Sequence, residues 1–388
     1  MPFTGKATYS AGVSLPEIAE DVSDLISLNS PHDTPLLDAL GDAIRPARST
    51  VHEWLEDSLL PNVSSVDDGS IANPTTETTF GVTHAERFRP GDQVRVEPSG
   101  GGVSEVMLVT GVDAGAGQIT VSRGYGGTTP VALVDGAALH VLGNAALEGA
   151  DADAARFTNR SRVSNYTQIF SATVEVSGSE QAVRQIGVTD EVDYQKAQRA
   201  RELTRDLENS VINGVAPTVN PQGSASVRRT MRGLLSFIAS RRFFVGQAGF
   251  PADATLTEEQ LNLALRELWN GSAGSIDLIV VGGREKRAIN QFVASSRRFT
   301  PQSERFKDLI STYESDYGVC RIVLSRFVPT GTVLLLDSSR IGVMPLAGRS
   351  FHYVPLARTG DGERGQVVGE YTLECRNESA HGVIEGLG

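Results

Sequence analysis

Five groups of residues in this chain have types or spacings that could carry chemistry. Ile279-Val280-Val281-Gly282-Gly283-Arg284 has the strand–glycine–helix pattern that cradles phosphate at a helix N-terminus. It lacks both GxGxxG spacing and a Gly-Lys-Ser/Thr ending, so it reads as a tight βα turn. Gly124-Tyr125-Gly126-Gly127-Thr128 follows a strand-like run with no helix behind it, and reads as a hairpin or loop. The six histidines, His32, His52, His84, His140, His352 and His381, show no HxxxH, HExxH or Cys/His ligand spacing. His52-Glu53-Trp54-Leu55-Glu56 departs from HExxH at its last residue. No GxSxG nucleophile elbow occurs. Cys320 and Cys375 each sit in a β-rich run, where a buried structural cysteine is the expectation rather than a nucleophile. The Asp67-Asp68 pair lies in a polar loop, where neighbouring carboxylates carry no catalytic signal. The expectation is a protein that is not an enzyme, with no cofactor and no metal.

One charge feature remains. Between Val215 and Ala252 stand Arg228, Arg229, Arg232, Arg241 and Arg242 and no acid, with Phe237, Phe243 and Phe244 interleaved. Two readings stay open: a patch that contacts DNA phosphates, or a loop that salt-bridges an acidic segment of a neighbouring subunit. The first 50 residues could supply such a segment, because they hold three basic residues and seven acids. Arginine outnumbers lysine 31 to 4. Rigid, bidentate subunit contacts would favour that skew, and so would a GC-rich codon bias.

The elements that position these residues follow from periodicity and turn chemistry. Ser30-Pro31-His32-Asp33-Thr34-Pro35 is a turn cluster before a short apolar helix, Leu36 to Leu40, stopped at Gly41. Ser49 to Leu60 is strand-like, and Asn62 to Thr79 has the composition of a loop or linker. From Phe88 to Gly143 the runs Gln93–Val96, Val106–Val109, Gln118–Val121 and Ala138–Leu142 predict a small β module. A polar stretch, Glu148 to Arg162, precedes a strand over Thr167–Val176.

The clearest helix spans Thr189 to Asn213, with Thr189 as N-cap and Ala200, Leu203, Leu207 and Val211 in one apolar stripe. Arg199–Glu202, Glu202–Arg205 and Arg205–Glu208 are expected to pair along its solvated side. A second helix opens at Thr257, with Gln260 completing a capping box and Leu256 facing Leu261 as a staple. Ile276–Val281 predicts a buried strand, followed by a helix near Arg284–Val293. Strands are expected again at Val319–Leu324, Val333–Leu336, Phe351–Leu356 and Val367–Cys375.

Composition bounds the class. At 388 residues and 40% hydrophobic, the chain can build two to three domains with sizeable cores. It has no apolar stretch long enough to span a membrane. The opening residues, Met1 to Lys6, lack the features of a secretory signal, and two cysteines suit a reducing compartment. A net charge of −12 disfavours a surface that grips nucleic acid all over.

Taken in order, these segments resemble the major capsid proteins of tailed bacteriophages with the Hong Kong 97-type fold. The residues that carry the resemblance are Thr34-Pro35-Leu36-Leu37, Thr50 to Leu59, Asn165 to Phe170, Val174 to Ser179, and Glu202 to Glu208 leading to Asn213-Gly214. The resemblance implies an α+β fold. Residues 1–48 would be an N-terminal arm, and 49–180 an extended β loop carrying an inserted all-β module at 84–148. Residues 181–250 would hold the spine helix and peripheral domain, 251–345 the axial domain, and 346–388 strands returning to the peripheral domain. A long N-terminal scaffolding domain is not expected, since the arm motif begins within the first 40 residues.

The function implied is self-assembly into hexamers and pentamers of an icosahedral shell around double-stranded DNA, in a virion assembled in the host bacterial cytoplasm. Implied partners are neighbouring capsomers, the portal, a scaffold or decoration protein, and the packaged DNA through non-specific contacts; no membrane is implied. Some relatives seal the shell with an isopeptide bond from a lysine on the extended loop. No lysine lies between Lys6 and Lys196, so a non-covalent shell is expected. Other readings are a tail or baseplate protein, which would more often show fibre-like repeats, or a cytosolic α/β enzyme.

Overall fold

The computed structural model describes residues 33–41, 45–71, 73, 75–96, 104–149, 151, 158, 160–182, 190–272, 274–296, 312–357 and 360–388, the last five residues of 274–296 by backbone alone. The turn residues Ser30 to His32 and most of the N-terminal arm lie outside these, as does Thr189.

Along the chain, α1 (Pro35–Leu40) opens on a proline whose fixed φ suits the first helical turn, and ends at Gly41 with φ 70°. β1 (Val51–Glu56) follows. Then come β2 (Val63–Ser65), β3 (Ser70–Ile71), β4 (Thr79–Gly81), β5 (Asp92–Val96), β6 (Glu105–Asp113), β7 (Gln118–Ser122), β8 (Leu133–Val134) and β9 (Ala138–Asn144). β10 (Ser161–Tyr166) returns to pair with β1, and β11 (Gln168–Ser177) runs on into α2 (Gly178–Ala182). Next are α3 (Glu191–Asn213), α4 (Leu234–Phe237), β12 (Arg242–Phe244), α5 (Glu258–Gly271), β13 (Leu278–Val281) and α6 (Gly283–Ser296). β14 (Thr312–Ser315), β15 (Gly318–Leu324), β16 (Val333–Leu336), β17 (Ile341–Pro345), β18 (His352–Pro355), β19 (Gly362–Cys375) and β20 (Gly382–Glu385) complete the chain.

Contacts divide the molecule into two compact units, Leu55–Ser161 and the remainder. In the larger unit, a six-stranded sheet has the order β12-β20-β16-β13-β15-β14. Its central strands β13 and β16 are buried at every residue. Successive side chains on a strand point to opposite faces, and here the faces pack two separate cores. Leu278, Val280, Leu334 and Leu336 join Leu203, Leu207 and Val211 of α3. Ile279, Val281, Val333 and Leu335 join Leu261, Leu265 and Leu268 of α5. Each such side chain contributes about 1.5–3 kcal/mol on burial. A second sheet, β11-β19-β17 with β18 also on β19, is built around the 14-residue β19.

Local chemistry sets the helix ends. Asp190 caps α3, its carboxylate accepting from the Val192 and Asp193 N–H groups at 2.8 and 3.1 Å. The cap is therefore Asp190. α5 carries the capping box expected from Thr257 and Gln260. At the far end of α3, Gly233 stands so close that a Cβ there would lie 2.5 Å from the Gly214 backbone nitrogen. The expected Arg205–Glu208 pair does not form: Glu208 is fully buried and Arg205 reaches Asp206 at 3.7 Å. Arg199–Glu202 does form, at 2.9 Å.

The smaller unit is a six-stranded antiparallel sheet, β2-β9-β5-β6-β7-β4, with the β3–β8 pair beside it. The stretch 62–79, expected to be a loop or linker, is loop for most of its described residues but also carries β2 and β3 and runs into β4. Composition missed those strands because strands of two or three residues pair through the backbone and need few apolar side chains. Phe80, Val94, Met107, Ile119 and Leu139 fill the core with no exposure. Glu105 is buried beneath the glycine-rich turn, taking two bonds of 2.8 Å from Arg123 and one each from the Gly124 and Val131 N–H groups at 2.9 Å. Burial alone would raise its carboxyl; these four donors outweigh that and hold it below the usual range.

This architecture makes a fragment test. Residues 55–161 alone are expected to show β-type circular dichroism and a cooperative melt. Residues 84–148, which lack β2 and β4, are expected to show no cooperative transition.

Candidate functional site

Among the described residues, the larger unit holds four clusters of buried charge, at Glu370, Glu208, Glu374 and Asp337. Glu370, in β19, is 3% exposed. One carboxylate oxygen accepts from Thr167 Oγ1 and Arg229 Nη2, each at 2.6 Å, and the other faces Arg349 Nε at 2.8 Å. Arg229 Nε also donates to the Thr167 carbonyl at 2.7 Å. The charge-assisted bonds join the β10–β11 junction to the Val215–Ala252 stretch and to the turn before β18.

Three more sites follow the same logic. Glu208, on α3, accepts from Ser325 Oγ at 2.8 Å and from the Leu37 N–H at 3.5 Å, so its carboxylate sits at the start of α1. Burial pushes its carboxyl up in spite of those donors. His52 of β1 meets Glu374 of β19 at 2.6 Å, and Arg376 meets Glu374 at 3.1 Å. The His52 hydrogen bond is the main reason the Glu374 carboxyl lies low. Asp337 accepts from Ser339 Oγ at 2.6 Å, Arg340 Nε at 2.9 Å and the Ser275 N–H at 3.1 Å. Burial alone would raise its carboxyl, and those donors lower it overall.

The sequence-expected basic stretch is spread among different tasks. Arg229 is committed to Glu370. Arg232 lies over the Phe237 ring at 4.1 Å and donates to the Ser236 carbonyl at 3.2 Å. Arg242 donates to the Ile238 and Leu235 carbonyls at 2.9 and 2.6 Å, and meets Glu385 at 3.4 Å. Arg241 is half-buried beside Gly271, and Arg228 is exposed. The five therefore do not act as one block of free charge. Cys320 and Cys375 are both buried and neither is in a disulfide, and burial pushes the Cys320 thiol up to about 11, which keeps it protonated.

Sequence reasoning missed Glu370, Glu208, Asp337 and the His52–Glu374 pair. Glu208 had a readable signal: Ile212 follows it by four residues and Val211 by three, so the apolar stripe of α3 is wide enough to include it. The others depend on partners far away in sequence.

The whole-chain comparison decides the family. The family model described as SU10 major capsid protein matches residues 3–388. The chain belongs to that family. It is a subunit of a phage capsid shell, and its place is the virion. No curated protein matches by sequence. Among solved structures, the cyanophage A-1(L) capsid subunit is similar at 10% identity, covering 95% of this chain and 97% of that one, with a TM-score of 0.51. The capsid of an empty GTA particle is similar at 9% identity, covering 96% of each chain, with a TM-score of 0.50. A chain from Mycobacterium phage Bobi matches at 12% identity, 95% coverage of each chain and a TM-score of 0.48. The fold of this capsid subunit is thus the Hong Kong 97-like α+β fold, and its copies assemble into capsomers.

Two outcomes follow from the buried charges. Glu370→Gln leaves two arginines facing a neutral amide, and the expected loss is about 3–5 kcal/mol. It is read as a lower urea midpoint at unchanged m; Arg228→Glu should leave that midpoint unmoved. The second outcome concerns His381, which is fully buried and accepts from the Asp337 N–H through Nδ1 at 3.2 Å. Burial pushes its pKa down to about 4 from 6.5. Between these values the unfolded chain takes a proton that the folded chain refuses. Stability should therefore fall as pH drops from about 6.5 to about 4, by about 1.4 kcal/mol per unit at most. In His381→Gln the slope from this residue should vanish, as measured by urea melts across that range.

Proposed function

We propose that this capsid subunit forms the hexamers and pentamers of an icosahedral shell around double-stranded DNA, assembled in the host bacterial cytoplasm and without a catalytic role. The observation that carries the reading is the family match over nearly the entire chain. Residues 1–48 act as an N-terminal arm and 49–180 as an extended loop carrying a β module built on 84–148 and completed by β2 and β4. Residues 181–250 form the peripheral domain with its spine helix, 251–345 the axial domain, and 346–388 the returning strands. The compact unit Leu55–Ser161, lying between strands that pair with each other, supports the inserted module. Further partners are the portal and a scaffold or decoration protein. Of the basic stretch, Arg228 is the member free to meet a neighbour or the packaged DNA.

The shell is non-covalent, because an isopeptide bond needs an unprotonated amine and the extended loop has no lysine. The test is rate-zonal sedimentation of the expressed protein, followed by boiling the fast fraction in detergent. Fast particles that yield a single 41.4 kDa band are expected. A reductant-resistant ladder would refute the non-covalent shell. Protein that stays monomeric under every assembly condition would refute the shell reading itself.

A further inference from the structure

Of the charge clusters in the larger unit, those of Glu370, Glu374 and Asp337 each contain an arginine or a histidine. Glu208 differs. It is fully buried on α3, and its described partners are uncharged: the Ser325 hydroxyl at 2.8 Å and the Leu37 N–H at 3.5 Å. The charge that acts on it, Asp38 of α1, is a second acid. The cations on the neighbouring elements are engaged elsewhere. Arg205 of α3 meets Asp206 at 3.7 Å, Arg326 beside Ser325 meets Asp33 at 3.5 Å, and Arg321 of β15 meets Asp277 at 3.7 Å. α4 and β17 carry no ionisable residue. A carboxylate buried without a cation is costly to ionise, and a proton is what neutralises it. Ser325 suits both states, because a hydroxyl donates to the ionised acid and accepts from the neutral one.

The element lying against this carboxylate is α1. Leu36 of that helix is buried in the core that holds Leu207 and Val211, one turn of α3 or less from Glu208. At the helix's other end Arg321 Nη2 donates to the Ala39 carbonyl at 3.4 Å, and the Asp33–Arg326 pair at its start is exposed. A helix of six residues is too short to persist in water alone, so α1 exists only against the body. Lifting it would let water reach Glu208 and return its pKa toward the ordinary 4.5. With α1 in place, burial holds it above that value.

We propose that Glu208 makes α1 a proton-controlled strap: the helix closes on the neutral acid and opens more readily once Glu208 is ionised. The closed state binds the proton more tightly than the open one. Closure is therefore fully favoured below about pH 4.5 and weakens as pH rises through the raised value, by at most about tenfold in the opening constant per pH unit. Above the raised value both states are ionised and the opening constant levels off. The device belongs to the single subunit and is independent of the shell.

Hydrogen–deuterium exchange on the full-length subunit between about pH 4.5 and about pH 8, corrected for intrinsic rates, reads the opening of residues 36–41. Their protection is expected to fall as pH rises, while that of residues 258–271 does not fall with it. His381 cannot imitate this effect, because its titration destabilises the chain in the opposite direction, as pH drops. In Glu208→Gln the pH dependence of α1 should vanish, and its protection at about pH 8 should exceed that of the wild-type chain. Flat protection of α1 in the wild-type chain, a slope that survives in Glu208→Gln, or a parallel loss in 258–271 would each overturn the proposal. So would a Glu208→Gln chain that fails to fold at about pH 8, because the proposal makes a neutral side chain the better occupant there.

Discussion

Glu370 is a charge held almost out of water, and much of the larger unit is arranged to make that tolerable. An isolated carboxylate there would cost several kcal/mol, so it must be matched by cations and donors in good geometry. Arg229, Arg349 and Thr167 supply them, and each belongs to a different segment. Neutralising Glu370 therefore also ties the β10–β11 junction to β19 and to the Val215–Ala252 stretch. His52 and Glu374 tie β1 to β19 in the same way, and Glu208 does it for α1.

The anchors work because the body behind them is rigid. β13 and β16 divide alternate side chains between two cores, one against α3 and one against α5. Neither core can shift without disturbing the other, since both share one sheet. The unit Leu55–Ser161 has its own core and its own buried pair, Arg123–Glu105, so its fold does not depend on those anchors.

Much of this was legible in the sequence. Periodicity located α3 and α5, and capping chemistry located the start of α5, because those signals are local. The four main strands of the smaller unit were visible from alternation and turns. Short strands were not: Arg242–Phe244, Thr312–Ser315, Ile341–Pro345 and Gly382–Glu385 are placed by neighbours far along the chain. The basic stretch was visible as composition, but its division was not. Arg229 turns to Glu370 and Arg242 to Glu385, partners 141 and 143 residues away by number. A charge count cannot distinguish a free patch from a set of internal clamps.

The central claim is that the buried charge clusters fix α1, the β10–β11 junction and the Arg229 segment within each subunit before it meets a neighbour. Hydrogen–deuterium exchange on the unassembled subunit tests this directly, because protection reports local opening. The account predicts slow exchange in residues 36–41, 165–177 and 229–238 of the dissociated subunit, with rates close to those in the assembled particle. Exchange at unstructured-chain rates in these segments until assembly would contradict it.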